Sequence, residues 1–211
     1  MNIIEKKIYT DGEPYYFNTE TEEKYGEIVG GLAWPETEDG FLVIAVVDLF
    51  KNTELEARHI RVLTGVGESR IDVFLKRASE LQRYFSPFME TIRFYGDTTS
   101  LTMMELLDQF NKNRRSRGLD PFYVTEAPQL KDARKLEFYA ELIKKYIQPG
   151  KKILHFCDTV LPGYLVGLSL DEISKGVLNH PPVAALGYTF AVLSTWRPRK
   201  GEKRQENKEI K

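Results

Sequence analysis

The chain of 211 residues is long enough for one large domain, or for one domain with arms, and can bury a real core. With 42% apolar, 12% aromatic and 29% charged residues, the composition is globular and excludes wholesale disorder. Lys and Arg total 30 against 31 Asp and Glu, a net charge of -1, so no global positive excess announces a nucleic-acid binder, although a local basic surface remains open.

Residues 1–24 are polar and tyrosine-rich, turn at Asp11-Gly12-Glu13-Pro14, and read as an arm leading into the domain. Tyr25 to Ala33 sets Ile28, Val29 and Leu32 among glycines and predicts a strand, with breakers at Trp34-Pro35 and Asp39-Gly40. Phe41 to Asp48 is a continuous apolar run, as in a strand buried on both faces. After a turn at Asn52-Thr53, Ala57 to Gly65 alternates Ile60, Val62 and Thr64. Three successive strands on short links predict an antiparallel meander.

The period then changes. Ile71, Phe74, Leu75, Ala78 and Leu81 recur at helical spacing, and Pro87 closes that helix. Thr91 to Asp97 reads as a short strand, and Ser100 can cap a helix with Leu101, Met104, Leu107 and Phe110 on one face. Phe122 to Thr125 is a fifth strand. From Pro128 to about Tyr146 a long helix carries the stripe Leu136, Tyr139, Ala140, Ile143 and Ile147 and ends at Pro149-Gly150. Lys152 to Cys157 is a short extended piece, Leu168 to Leu178 a helix, and Val183 to Leu193 an apolar closing helix. The order predicts an α/β fold: a mixed sheet whose three antiparallel leading strands feed a parallel half, flanked by helices, over residues 25–196. Residues 197–211 hold seven Lys or Arg and three Glu and read as a charged, disordered tail.

No apolar run approaches the ~18 residues of a membrane span, and the N-terminus lacks a signal-peptide layout. The expectation is a soluble, unexported protein without a membrane partner. The single cysteine, Cys157, excludes an intramolecular disulfide framework and a multi-cysteine zinc site, and fits a reducing compartment.

Four short motifs sit at telling places in this order. They are the Gly-rich strand Ile28-Val-Gly-Gly-Leu-Ala-Trp34 followed by Asp39-Gly40, and Phe94-Tyr-Gly-Asp97 ahead of a helix. Next come Lys131, Arg134 and Lys135 opening the long helix, and Asn179-His-Pro-Pro-Val-Ala-Ala-Leu-Gly-Tyr188 in the closing one. Together with the element order they resemble the nuclease domain of phage large terminases, the DNA-packaging motor subunits, within the ribonuclease H-like superfamily. The resemblance covers about residues 25–196. It implies a ribonuclease H-like fold, metal-dependent DNA cleavage during genome packaging, magnesium or manganese as cofactor, and double-stranded DNA as partner. It also implies the cytoplasm of a bacterial host, and a packaging ATPase or portal protein as a separate partner, because this chain has no Gly-rich Lys-Ser/Thr phosphate loop. Residue by residue, it makes Asp97 the catalytic metal ligand and Lys131, Arg134 and Lys135 the DNA contacts.

The departures from the family are as informative. Its first-strand acid corresponds to Ala33, and its closing-helix acids to His180 or Pro181 and to Ala184. Two-ion phosphodiester hydrolysis needs several carboxylates to hold the ions that activate water and stabilise the leaving oxygen. Asp97 alone cannot assemble such a centre. The alternative is therefore a non-catalytic DNA- or protein-binding module that keeps the fold, and a merely coincident α/β topology also stays open.

Each candidate has a plainer reading. Asp97 is either a ligand at a strand's carboxyl end or a cap for the following helix. Asp48 ends a strand and suits turn chemistry, while Glu27 shares the alternation of Val29, Gly31 and Ala33 and is a possible displaced ligand. Asp158 is a further carboxylate that could rebuild the centre. His180 has no partner ligand at helical spacing and reads as solvated or structural. Cys157 reads as a small buried hydrophobe. Lys112, Arg114, Arg115 and Arg117 follow a helix. Arg114 and Arg115 are candidate phosphate contacts, or else complement the helix dipole.

Overall fold

The computed structural model describes residues 3–9, 12, 14–36, 39–49, 60–127, 154–157 and 180–195. The two helices expected over 128–146 and 168–178, and the tail at 197–211, lie outside the described residues. The elements are β1 (Ile4–Ile8), β2 (Pro14–Asn18), β3 (Lys24–Ala33), β4 (Gly40–Asp48), β5 (Ile60–Glu68), α1 (Ile71–Phe85), β6 (Arg93–Gly96), α2 (Leu101–Ser116), β7 (Val124–Glu126), β8 (Leu154–Phe156) and α3 (Pro181–Leu193).

β4 is the centre of the sheet. All nine of its residues are buried, which is why its sequence is a continuous apolar run rather than an alternation. It pairs antiparallel with β3, from Ala33 opposite Phe41 to Tyr25 opposite Asp48, and antiparallel with β5 on its other side. β6 lies parallel to the far edge of β3, with Val29 opposite Arg93 and Leu32 opposite Gly96. β7 continues parallel to β6, and β8 adds parallel to β5. The order across the sheet is therefore β7-β6-β3-β4-β5-β8. It is an α/β fold with a mixed sheet and an antiparallel meander at its heart.

Two differences from the sequence reading reshape the sheet, while smaller ones shorten β6 to Arg93–Gly96, shift β7 to Val124–Glu126 and bring Lys112, Arg114 and Arg115 inside α2. β5 runs on to Glu68 rather than stopping at Gly65, because β4 supplies ladder partners such as Leu42 for Val66 and Phe41 for Gly67. Glycines that read as punctuation are overridden by pairing. Within residues 1–24, read as an arm, Ile4–Ile8 and Pro14–Asn18 pair as the β1–β2 hairpin, whose Tyr16 and Phe17 pair with Tyr25 and Lys24 of β3. β3 thus shares one edge between β2 and β6, with a bulge between Tyr25 and Glu27.

Alternation in the strands sorts side chains into two layers. On one face Val29, Ala33, Val43, Ala45 and Val62 pack against Val183, Leu186 and Phe190 of α3. On the other Ile28, Leu32, Leu42 and Ile44 pack with Phe74 and Leu75 of α1, Phe94 and Leu107. α3 is buried on nearly every side, which matches its unbroken apolar sequence. Each such side chain contributes about 1.5–3 kcal/mol of burial. α2 is the weaker helix: Leu101 is exposed, and Leu107 is its deeply buried apolar anchor.

Three buried polar side chains fix where the parallel strands begin. Gln82 Nε2 donates to the Ile92 carbonyl at 2.9 Å, and Ser86 Oγ accepts the Ile92 amide at 3.0 Å, so the end of α1 holds the start of β6. Asn111 Nδ2 donates to the Phe122 carbonyl at 2.7 Å, while its Oδ1 accepts the Phe122 amide at 2.8 Å. That pair anchors the lead into β7 on α2. Satisfied in this way, the buried groups avoid the cost of an unmade bond.

Candidate functional site

The parallel ladder that puts Leu32 opposite Gly96 places Ala33 beside Asp97 at the carboxyl ends of β3 and β6. Tyr95 packs against the α3 layer, and alternation gives Asp97 that same face. α3 comes down directly on this corner. A Cβ added to Gly31 would sit 2.0 Å from the Ala185 carbonyl oxygen, so the helix backbone rests on the strand with no side chain between. Asp97 and Ala33 are thus neighbours across the β3–β6 ladder, and Ala33 and Ala184 belong to the same packed layer.

What Asp97 does there is specific. Its Oδ1 accepts the Thr99 amide at 2.8 Å and the Thr99 hydroxyl at 2.6 Å. Its main-chain carbonyl accepts the indole N–H of Trp34 at 2.6 Å, and Trp34 is itself buried against Phe74. The side chain shapes the turn that leads into α2, a local carboxylate-to-backbone bond of the kind that initiates helices. Ser100 occupies the N-cap position without a side-chain cap hydrogen bond.

The neighbours of Asp97 do not fit a two-ion centre. Ala33 and Ala184 offer methyl groups, and one oxygen of Asp97 is engaged by Thr99. His180, half-buried, takes the N-cap position of α3 ahead of Pro181 and Pro182. Among the described residues no group of three or more His, Cys, Asp or Glu could hold a metal ion. Hard divalent ions require several oxygen donors at one point; among the described residues Asp97 takes the α3 face of this corner, while Glu126, opposite Gly96, alternates to the other face of the sheet.

The other carboxylates lie elsewhere. Asp48 is opposite Tyr25, eight positions before Ala33 in β3, roughly 26 Å along the strand at ~3.3 Å per residue. Glu27 is six positions before Ala33, roughly 20 Å by the same rise. Neither reaches the corner, because the register of β3 against β4 and β6 sends both toward the opposite end of the sheet. Asp158 lies outside the described residues.

At that opposite end Asp48 belongs to an ion-pair network. Its Oδ2 accepts Arg61 Nη2 at 2.5 Å, and Arg61 Nη1 pairs with Glu23. Glu23 Oε2 also accepts the Tyr25 hydroxyl at 2.8 Å and the Thr21 hydroxyl at 3.0 Å. Burial pushes the Glu23 carboxyl up, but the Tyr25 and Thr21 hydroxyls and the Arg61 charge outweigh it and hold the group below its ordinary range. Burial likewise works against the Arg61 charge, and the bonds and charges of Asp48 and Glu23 more than restore it. Burial and the bond to Glu23 push the Tyr25 hydroxyl up to about 12. Glu27 differs: burial raises its carboxyl, and the Ile28 amide and the Arg93 charge offset this only in part. The network went unread in the sequence, although an Arg placed between Ile60 and Val62 in an alternating strand was the available signal.

The basic candidates divide. Arg114 and Arg115 stand in the last turn of α2, about 20 Å along the helix from Leu101 at ~1.5 Å per residue. Arg114 is committed internally: Nε donates to the Asp120 carbonyl at 2.7 Å and Nη1 to Ser79 Oγ at 3.1 Å, tying α2 to α1. Burial lowers its pKa, with Asp120 opposing and Arg83 adding to the shift. Arg115 is exposed. Lys131, Arg134 and Lys135 lie outside the described residues. Cys157, expected to be buried, is exposed. It is the first residue beyond β8, where the chain leaves the sheet after its amide bonds to the Val62 carbonyl at 2.9 Å.

No helix of the described residues is long and apolar enough to cross a membrane. Comparison of the chain with models of known families, with curated proteins and with solved structures gave no match in any of the three.

Proposed function

We propose that this chain is a ribonuclease H-like domain of the kind found in phage large terminases, one that contacts double-stranded DNA through its fold while its metal centre has degenerated. The strand order β5-β4-β3-β6-β7 carries the reading: three antiparallel strands, then two parallel ones on the far edge of the first. This is the arrangement in which the resemblance expects an acid-ending strand beside the first strand and a closing helix across both. The position of Asp97 beside Ala33, on the face that α3 covers, supports the reading.

Magnesium or manganese is the cofactor a cutting domain of this family would use. Among the described residues Asp97 is the carboxylate on the α3 face of the corner and is itself turned to Thr99, so the reading favours holding DNA over cutting it. The contacts are assigned to Lys131, Arg134 and Lys135, with Arg115 adding to them. Arg114 serves the packing of α2. A separate packaging ATPase or portal protein in the host cytoplasm would supply the motor.

The test is duplex binding measured against salt. Four phosphate contacts give a slope of about -3.6 in log affinity against log salt. Arg134→Glu with Lys135→Glu should weaken binding at every sequence tried. No binding at low salt, or an affinity unchanged by the double reversal, overturns the assignment.

A further inference from the structure

The hairpin carries a second surface, on the face opposite Ile4 and Tyr16. Ile4 and Tyr16 point into the core shared with α1. The alternate residues Lys7, Tyr9, Tyr15 and Phe17, with Lys24 from the start of β3, share the other side. There Tyr9 and Tyr15 are stacked, with ring centroids 4.2 Å apart. The Lys24 ammonium stands 5.6 Å from the Tyr15 centroid and 5.9 Å from that of Tyr9, and the Lys7 ammonium is 3.7 Å above Phe17. Lys7 is also 3.3 Å from Glu5, whereas Lys24 has no carboxylate paired with it among the described residues. All three rings remain partly exposed, while α3 packs on β3, β4, β5 and β6 further along the sheet.

Partly exposed rings interleaved with ammonium groups are what an unpaired nucleotide uses: a flat face for the base and a cation for the phosphate. Here the lysines rest on the ring faces themselves. Their flexible stems can swing the ammonium to a phosphate while a base takes its place on the ring. A duplex cannot use this surface, since its bases are already stacked and offer their faces only at an end.

We infer that the hairpin face built from Tyr9, Tyr15, Phe17, Lys7 and Lys24 binds unpaired nucleic-acid strand by stacking one or two bases and pairing with the adjoining phosphates. This face uses none of the residues assigned to the duplex contacts above, and the inference stands or falls independently of them. The experiment is fluorescence anisotropy of a labelled ten-nucleotide oligothymidylate with the full chain, beside its uridylate counterpart and a blunt duplex. Tyr15→Ala should weaken oligonucleotide binding roughly 5- to 160-fold. Lys24→Glu should weaken it and flatten its salt dependence, and Tyr15→Phe, which keeps the ring, should bind as the parent does. Duplex binding should be unchanged in all three. Equal affinity for thymidylate and uridylate assigns the site to either strand chemistry, and a preference identifies which. A bromodeoxyuridine oligonucleotide should photocrosslink to the peptide containing residues 7–24. The inference is overturned if oligothymidylate does not bind, if Tyr15→Ala with an unchanged circular dichroism spectrum binds as well as the parent, or if crosslinks fall only elsewhere.

Discussion

Replacing Gly31 with alanine should separate α3 from the sheet. The added methyl carbon would sit 2.0 Å from the Ala185 carbonyl oxygen and 2.8 Å from Thr189 Cγ2. Ordinary carbon-to-carbonyl contacts fall near 3.3–3.6 Å, so α3 must lift by more than about 1 Å. The obstacle is backbone, and no rotamer can relieve it. Because α3 is buried on nearly every side, lifting it loosens Val183, Leu186 and Phe190 from the strands at once. Overpacking of this kind costs about 1–3 kcal/mol, and a rigid helix puts this case near about 3 kcal/mol. For a chain of this length that is a fall in Tm of roughly 6–12 °C. Gly30→Ala is the matched control: its methyl would meet the Phe94 ring at 2.6 Å, a side chain that can tilt, so the loss should be smaller. Urea and thermal unfolding followed by circular dichroism measure both. A Gly31→Ala loss under about 1 kcal/mol, or one smaller than that of Gly30→Ala, would refute the direct seating of α3 on β3.

Arg61→Met should cost about 2–4 kcal/mol at neutral pH, since it strips the cation from the buried Asp48 and from Glu23. Adding Asp48→Asn and Glu23→Gln should recover much of that loss, and urea midpoints that fail to recover would show the carboxylates are not what suffers. Glu27→Gln should stabilise the fold at pH 7: a carboxyl raised by burial favours the folded state when protonated and opposes it once ionised. The gain should fade as pH drops below the carboxylate range, and a gain that is flat from pH 3 to 8 contradicts the burial argument.

The parts of this fold that were legible in the sequence are those with strong local periodicity. The unbroken run Phe41 to Asp48 became the central strand, and the helical spacing from Ile71 became α1. The meeting of Ala33 with Asp97 was expected from the order of elements, yet the meander has two edges and β8 takes the other, so local pattern alone did not fix which edge β6 joins. The β1–β2 hairpin was hidden because Glu5, Lys6 and Lys7 fill the middle of β1 and its support comes from β3. Whether Asp48 and Glu27 could approach Asp97 depended on register, which no single strand's composition encodes. The role of Asp97 hinged on Thr99, a residue with no pattern to flag it.

Plasmid cleavage tests the central claim most directly: that the strand-end corner keeps the arrangement of a nuclease without its chemistry. Supercoiled plasmid is incubated with the full chain and millimolar manganese or magnesium, with Asp97→Ala as the paired variant. The account predicts little or no nicking by either protein, with Asp97→Ala indistinguishable from the parent. Robust cutting that Asp97→Ala abolishes would contradict it and make Asp97 part of a working metal centre.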